Sequence, residues 1–224
     1  MKHIPAVVAA AISLTAFATA PAMAEGFYVS GNIGLTSLGH TLERNEATSG
    51  LPVPDSAGIS RVQSEDASVG LALGYHHNFT NNNFFVGGEA FYNHENASTR
   101  NIVGVLGTDI NLNSSYGARL IGGVNVTPKF SLYGHVGYTQ LDFDVHNSYT
   151  FAPPTRDAGF NEGGVSLGVG ALYAVNDRVS LFADYTKVTD VNFNGLPEVA
   201  GGTGRVNANG LDIDRISYGL RVSF

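Results

Sequence analysis

The stretch LDIDRISYGLRVSF, residues 211–224, alternates apolar and polar side chains from Arg215 to its end. The apolar positions are Ile216, Tyr218, Leu220, Val222 and Phe224, and the polar or small positions are Arg215, Ser217, Gly219, Arg221 and Ser223. A period of two residues is the pattern of a β-strand whose two faces meet different surroundings. Because the stretch finishes on an aromatic ring, we expect a strand of a membrane barrel, in which aromatic residues sit between lipid and water.

The same residues resemble the C-terminal signal by which the assembly machinery recognises bacterial outer-membrane barrels. The matching positions are a polar residue, a glycine two places on and a hydrophobic pair that ends in phenylalanine: Ser217, Gly219, Val222 and Phe224. The last strand of a barrel has to pair with the first, because an open edge in hydrocarbon leaves backbone donors and acceptors unsatisfied. We therefore expect this stretch to close the barrel, and we expect the assembly machinery to be a partner.

The N-terminal residues indicate export. A short basic start precedes an apolar run from Ile4 to Ala20, and the small residues Ala22 and Ala24 form a small-x-small cleavage site. A transmembrane helix is the competing interpretation, but the segment is short, rich in Ala and Thr, and ends in the processing motif. Residues 1–24 are therefore predicted to be a signal peptide, and residues 25–224 are predicted to form one barrel domain.

Composition narrows the class further. The 224 residues include no Cys, 28 Gly and a net charge of −7 at pH 7. The absence of Cys excludes a disulfide scaffold and any Cys-ligated metal. The acidic balance argues against a nucleic-acid partner, because phosphate binding needs clustered Lys and Arg. The mean hydropathy of +0.03 is compatible with a membrane barrel, since only every second residue meets lipid.

Eight segments show the period of two, and bacterial single-chain barrels have an even number of strands. The predicted strands are Phe27–Leu38, Asp66–His77, Phe84–His94, Asn111–Val126, Phe130–Val145, Gly163–Val175, Val179–Val191 and Leu211–Phe224. Small residues recur on the more polar face, which should point inward, whereas the apolar face should meet lipid. In the fourth segment Leu112, Tyr116 and Leu120 belong to this outward apolar face.

The connections between these segments alternate in length. Short turns rich in Asn, Asp and Pro are predicted near residues 78–83, 127–129 and 176–178. Long polar links are predicted over Gly39–Glu65, Glu95–Ile110, His146–Glu162 and Asn192–Gly210. Short periplasmic turns and four long extracellular loops are the outer-membrane arrangement. A soluble β-sandwich also alternates every second residue, but it does not explain the export signal, the C-terminal phenylalanine or the small residues on the polar face.

The chain resembles a known family in four places. These are the signal peptide, the Gly-Phe-Tyr-Val opening at Gly26 to Val29, the Gly74-Tyr75 pair that ends the second strand, and Phe224. Together they resemble the small outer-membrane β-barrel family of opacity proteins and alphaproteobacterial surface antigens, a porin-like family distantly akin to the OmpA barrel. The resemblance implies an eight-stranded antiparallel up-and-down barrel in the Gram-negative outer membrane. It also implies roles in membrane integrity, adhesion, immune exposure or narrow pores, and it carries no catalytic residues.

Ionisable residues are predicted on the inward face. The predicted interior cluster is Glu89, Arg119, His135, Asp184, Arg215 and Arg221. Four of these lie about six residues along their strands from the short-turn end, while Arg221 lies lower and Arg215 higher. An eight-stranded barrel is just wide enough for side chains to fill, so these groups should pair, with Arg119 and Glu89 as the first pair. The cluster is either a plug that holds the barrel shut or a gate that passes ions.

No residue pattern indicates a cofactor, a metal site or a catalytic site. His76 and His77 are adjacent on a strand and face opposite sides, so they cannot readily chelate one ion. The predicted function is therefore a structural or cell-surface role for a monomer. Its expected partners are outer-membrane lipid, lipopolysaccharide and a surface partner bound through the loops. The alternatives are a narrow ion or small-solute channel and, further off, a lipid-modifying enzyme.

Overall fold

The computed structural model is a closed barrel of eight antiparallel strands. It describes residues 25–44, 60–79, 83–103, 106–149, 156–191 and 206–224. The strands are β1 Gly26–Arg44, β2 Ser60–Asn78, β3 Phe84–Val103, β4 Leu106–Thr127, β5 Phe130–Tyr149, β6 Arg156–Ala174, β7 Val179–Val191 and β8 Val206–Ser223. Each strand pairs with its neighbours in sequence, and β8 pairs with β1. The predicted eight-stranded barrel is confirmed, and the β-sandwich is excluded.

The two ends of the chain's barrel segment meet where β8 closes onto β1. Tyr28 pairs with Ser223, and the pairing runs up to Arg44 opposite Val206. Beyond the last pair, the backbone N–H of Phe224 donates to the carbonyl oxygen of Phe27 at 2.9 Å. This ladder removes the free edges that the first and last strands would otherwise present to hydrocarbon.

Gly26 begins β1 in a backbone conformation that suits glycine. Its φ is +141°, and a Cβ at this position would lie 2.9 Å from the carbonyl oxygen of Phe224. We expect Gly26→Ala to destabilise the closed barrel by about 1–3 kcal/mol, the usual cost of a strained backbone position. The measurement is urea unfolding followed by the gel-mobility difference between folded and unfolded barrel. Gly31→Ala is the matched control, because a Cβ there meets only ordinary contact with Leu71 at 3.7 Å; an equal loss in both variants would contradict the expectation.

Most strands extend further toward the long-link end than the sequence predicted. Only β7 has the predicted bounds, Val179–Val191. The predicted link Glu95–Ile110 is wrong, because β3 continues to Val103 and β4 begins at Leu106. The other three links are also shorter than predicted, as the strand bounds show. The reason is that the outer face of the strands becomes polar near the long links. The alternation of apolar outward and polar inward residues that is typical of a membrane strand is therefore lost in this part of the chain.

Aromatic rings form two belts on the outside of the barrel. The lower belt, near the short turns, contains the exposed rings of Phe27, Tyr75, Phe79, Phe84, Tyr173 and Phe224. The upper belt contains Tyr92, Tyr116, Tyr138, Tyr185 and Tyr218. Phe84 and Tyr92 lie on the same strand, and their spacing corresponds to a rise of roughly 20 Å for a tilted strand. Between the belts the outer face is apolar, with residues such as Leu120 at 70% exposure, as expected of a surface that meets lipid.

Above the upper belt the polarity of the two faces is reversed. The outer face becomes polar, with Ser37, Glu65, His94, Asp142, Asp144, Lys187 and Asp214. The inner face becomes apolar and forms a cluster that we call the upper apolar layer: Leu38, Ala97, Ile110, Leu112, Leu141, Phe143, Val188, Val191 and Ile213. This part of the barrel therefore has a hydrophobic core of its own, as a water-soluble barrel has. In β3, for example, the part above the upper belt runs from Tyr92 to Val103, which corresponds to a rise of roughly 25 Å.

Leu112 lies on the opposite face from the one that the sequence predicted. Its side chain is 1% exposed and belongs to the upper apolar layer. A β-bulge between Leu112 and Ser114 shifts the register of β4 against β5, so residues on either side of it are out of phase. A second bulge lies opposite, between His94 and Ala97 of β3. Tyr116 and Leu120, beyond the bulge, face outward as predicted.

A second apolar cluster lies inside the barrel toward the short-turn end. This lower apolar layer consists of Phe85, Ile121, Tyr133, Leu172 and Phe182. Inward glycines on neighbouring strands make room for its rings. A Cβ at Gly123 would overlap the ring of Phe85, and a Cβ at Gly219 would overlap the ring of Phe182. The small residues predicted on the inner face thus leave the space that large neighbouring side chains fill.

Candidate functional site: the charged core of the barrel

The inner face carries a group of charged residues, which we call the charged layer; most of them lie between the two apolar layers, and Arg221 lies beside the lower one, opposite Ser180. Its members are Glu89 on β3, Glu95 on β3, Arg119 on β4, His135 on β5, Asp184 on β7, and Arg215 and Arg221 on β8. Strand pairing sets their depth: Glu89 lies directly opposite Arg119 on neighbouring strands. His135 lies opposite Gly168, and a Cβ at Gly168 would overlap the imidazole. The alternation that sends every second side chain inward therefore gathers these groups in one space.

Arg119 is the centre of this layer. Its Nε donates to Oε1 of Glu89 at 2.7 Å, and its Nη2 lies 2.6 Å from the same oxygen. On its other side, Nη1 lies 3.3 Å from Oδ1 of Asp184. One guanidinium thus joins two carboxylates from strands on different sides of the barrel, which is the geometry that its rigid fork of donors allows.

Asp184 is held by three further residues. The hydroxyl of Tyr133 donates to Oδ2 at 2.9 Å, and the hydroxyl of Thr186 donates to Oδ1 at 2.7 Å. Nε2 of His135 lies 3.2 Å from Oδ2 and also 3.2 Å from Nη1 of Arg119. With a proton on Nε2 the ring donates to the carboxylate, and without that proton it accepts from the guanidinium. The layer is therefore a connected hydrogen-bond network in which each carboxylate has several partners.

Arg221 supports the other side of Glu89. Its Nη2 lies 3.6 Å from Oε2 of Glu89, and its guanidinium lies over the ring of Tyr28, 3.9 Å from the centroid. The hydroxyl of Tyr28 donates to the same Oε2 at 2.9 Å. Glu89 thus accepts from Tyr28 while it lies between two arginines, and its charge is compensated from both sides.

Arg215 pairs with a residue that the sequence did not identify, Glu95. The two side chains form a buried ion pair, and Glu95 also accepts from Thr36 at 2.7 Å and from Ser115 at 2.8 Å. Glu95 was missed because it falls in the predicted link Glu95–Ile110. The alternation along β3 could have identified it. Glu89 and Asn93 face inward, and every second residue after them, including residue 95, should also face inward. The pair lies toward the upper apolar layer, as the predicted higher position of Arg215 requires.

The layer leaves little free space. Its ion pairs match three arginines with three carboxylates: Arg119, Arg215 and Arg221 with Glu89, Glu95 and Asp184. One cavity among these side chains has a volume of about 20 Å³, which is enough for about one water molecule. The structure thus brings all six predicted cluster residues into one filled and ion-paired layer.

Comparison with known proteins identifies the family. A family model described as outer membrane protein beta-barrel domain matches residues 6–224. The chain belongs to this family. The crystal structure of Neisserial surface protein A is similar over 89% of this chain and 97% of that chain, with 16% identity and a TM-score of 0.53. A likeness at this identity shows the fold alone.

Two further solved structures resemble this outer-membrane barrel. The attachment invasion locus protein Ail of Yersinia pestis has 15% identity and a TM-score of 0.46, over 90% of this chain and 100% of that chain. OprG from Pseudomonas aeruginosa has 14% identity and a TM-score of 0.45, over 92% of this chain and 99% of that chain. A comparison with curated protein sequences finds no match.

The predicted assembly signal lies where the outer-membrane barrel closes. Ser217 is buried on the inner face, and Gly219 lies beneath the ring of Phe182. Val222 is half-buried on the outer face, and Phe224 is exposed in the lower aromatic belt. The predicted cleavage residues Ala22 and Ala24, with the rest of residues 1–24, lie outside the described residues.

The two adjacent histidines face opposite sides of β2. His76 is buried and contacts the rings of Tyr28 and Phe85, whereas Nδ1 of the exposed His77 lies 2.6 Å from Glu25. In the six described ranges, no group of three His, Cys, Asp or Glu residues is arranged to hold a metal ion. Those ranges also include no helix long and apolar enough to cross a membrane.

Proposed function

We propose that this outer-membrane barrel is a sealed membrane anchor with a structural or cell-surface interaction role. The observation that carries the proposal is the filled interior: the lower apolar layer, the charged layer and the upper apolar layer follow one another along the barrel axis. A permeating ion would have to pass two apolar layers and separate ion pairs in which every member except the half-buried Arg119 is buried. Each unpaired buried charge costs several kcal/mol, so this geometry favours a plug.

The outer surface supports the proposed partners. The apolar band between the two belts fits the hydrocarbon of the outer membrane. The polar outer face above the upper belt fits the hydrated head-group region of lipopolysaccharide, and the strands above it fit a role at the cell surface. We further propose export by cleavage after Ala24, recognition of Ser217, Gly219, Val222 and Phe224 by the assembly machinery, and a monomeric barrel.

We also propose that the protein is not an enzyme. The described side chains between the belts on the lipid-facing side are mainly apolar, and no Ser, His and acid set is brought together there. A lipid-modifying site would need a nucleophile and a base within hydrogen-bond reach on that face.

Single-channel recording tests the sealed barrel. We expect residues 25–224, refolded into a planar bilayer, to show no steady conductance, and we expect Arg119→Ala to stay silent because the two apolar layers remain. The gel-mobility difference shows independently that both proteins are folded. Recurrent discrete openings in the wild type that change in the variant would establish the alternative, a narrow channel gated by the charged layer.

Cysteine labelling in whole cells tests the orientation, because the chain has no Cys of its own. Asp144 lies on the outer face above the upper belt, and Asn176 is exposed in a short turn at the other end. We expect a bulky membrane-impermeant maleimide to label Asp144→Cys in intact cells. Asn176→Cys should react only after the outer membrane is permeabilised. Equal labelling of both in intact cells, or the reverse order, would contradict a cell-surface role for the loop end.

A further inference from the structure

The outer wall of the barrel carries a groove between the two aromatic belts. It consists of two adjoining depressions with volumes of about 910 and 640 Å³, and both are lined by Gly122, Gly134, Val169 and Tyr185. The outward side chains on either side of the groove are mainly apolar. Outward and inward residues alternate along each strand, so the backbone of the intervening inward residues forms the floor.

Two outward glycines leave the central part of the groove without side chains. Gly122 on β4 lies directly opposite Gly134 on β5. A Cβ at Gly122 would meet no atom of the described residues within 4 Å, and one at Gly134 would meet only the carbonyl oxygen of Gly168, at 3.6 Å. The flanking outward positions carry large apolar side chains: Leu120 and Val136 on one side, Val124 and Leu132 on the other. The glycine pair is therefore a slot between two ridges whose backbones are roughly 13 Å apart.

The groove slopes from one belt to the other. The row of paired residues continues from Gly134 to Val169 on β6 and to Tyr185 on β7. Because barrel strands are tilted by about 40°, a row that crosses them also climbs along the barrel axis. The groove is lined at one end by Phe84 of the lower belt and at the other end by Tyr185 and Tyr218 of the upper belt. It therefore crosses the hydrocarbon of the membrane.

A cation lies at the upper end of the groove. Lys187 lines it opposite Leu167, and the Lys187 side chain is 40% exposed. Its Nζ lies 3.7 Å from Oδ1 of Asp214, which also accepts from the hydroxyl of Tyr185 at 2.5 Å. An ammonium group has three donors, and lysine binds phosphate oxygens in many proteins. This end of the groove therefore complements an anionic head group at the level of the upper belt.

We propose that the groove binds an acyl chain of the lipid A part of lipopolysaccharide, with a lipid phosphate beside Lys187. This inference rests on the proposed placement in the outer membrane and names the lipid site. A chain in the groove contacts backbone beneath it and side chains on both sides, so it gains more dispersion contacts than a chain on a convex wall. The slope favours a lipid of the outer leaflet, because its head group lies at the upper belt while its chain descends along the groove.

The test titrates the folded barrel with lipid A in a neutral detergent and counts bound lipid by native mass spectrometry. Gly122→Ile fills the slot, and we expect it to weaken lipid A binding at least about tenfold, since the lost packing is worth a kcal/mol or more. Gly88→Ile is the matched control: a Cβ at Gly88 also meets nothing within 4 Å, and Gly88 does not line either depression. Both changes place a β-branched residue in a strand, where it is favoured, so both variants should fold.

A second substitution tests the head group. We expect Lys187→Gln to weaken the binding of lipid A and to leave the binding of diacylglycerol, which has no phosphate, unchanged. Lys129→Gln, at the short-turn end of the barrel, is the control and should bind lipid A as the wild type does.

Equal affinity of the wild type and Gly122→Ile, an equal loss in Gly88→Ile, or unchanged affinity in Lys187→Gln would overturn the inference. Phosphatidylethanolamine that binds as tightly as lipid A would also overturn it, and so would a dimer of barrels that Gly122→Ile separates, because a phospholipid or a second copy would then occupy the groove. Gly134→Leu repeats the test if Gly122→Ile does not fold. Conductance and whole-cell labelling of the same variants show separately whether the proposed sealed barrel and its orientation have failed.

Discussion

Replacing Arg119 by methionine is expected to lower the free energy of unfolding of the barrel by about 3–5 kcal/mol. The guanidinium joins Glu89 and Asp184 across the interior, so its loss leaves two buried carboxylates without their shared cation. Methionine keeps most of the side-chain volume, and the effect is therefore electrostatic more than a loss of packing. Urea unfolding in detergent micelles, followed by gel mobility and by far-UV circular dichroism, measures the change.

A double-mutant cycle separates the ion pair from other effects of the substitution. Glu89→Gln alone should also destabilise, because it removes the charge that Arg119 and Arg221 face. The double variant Arg119→Met with Glu89→Gln should lose less than the sum of the two single variants, since neighbours in one network couple. Additive losses would show that Arg119 and Glu89 stabilise the barrel independently, and the network described above would not hold.

Phe143→Ala is expected to cost about 3–5 kcal/mol, the usual range for removing a fully buried aromatic ring. Phe143 is 0% exposed and lies in the upper apolar layer. The measurement is again urea unfolding, together with protease cleavage of the strands above the upper belt, which should become faster. Val136→Ala is the matched control: Val136 faces lipid between the belts, and an acyl chain can fill the space left there.

The protease result separates two views of this part of the barrel. If the strands above the membrane owe their order to the upper apolar layer, Phe143→Ala should loosen them while the part between the belts stays folded. An unchanged cleavage pattern, with a loss no larger than that of Val136→Ala, would mean that the layer contributes little to the barrel.

The alternation of two residues was enough to predict the barrel, its strand number and six of the seven residues of the charged layer. That pattern is strong where one face meets lipid, as in β7, whose predicted bounds match the structure. It was misleading above the upper belt, where the outer face meets water and polar outward residues resemble a loop. Glu95 was assigned to a link for this reason, although it is buried beside Arg215.

Leu112 shows a second limit of the pattern. Its face was predicted from the phase of Tyr116 and Leu120, but a bulge intervenes and reverses the phase. A bulge depends on how two strands pair across space, and one strand's composition does not reveal it. The partners within the charged layer were hard to predict for the same reason. The positions of the six predicted residues along their strands indicated their depth, whereas the contacts of Arg119 with both Glu89 and Asp184 depend on side-chain geometry across the barrel.

The reversal of polarity at the upper belt also determines how the barrel sits along the membrane normal. If the barrel sank, Lys187 and Asp214 would enter hydrocarbon, and a charged residue on the lipid face costs up to about 2–4 kcal/mol at the midplane. If it rose, exposed residues such as Leu71 and Leu73 would leave lipid for water. Both displacements are opposed, so the barrel has one preferred depth. The end of the barrel above the upper belt therefore stands at a constant height above the lipid surface.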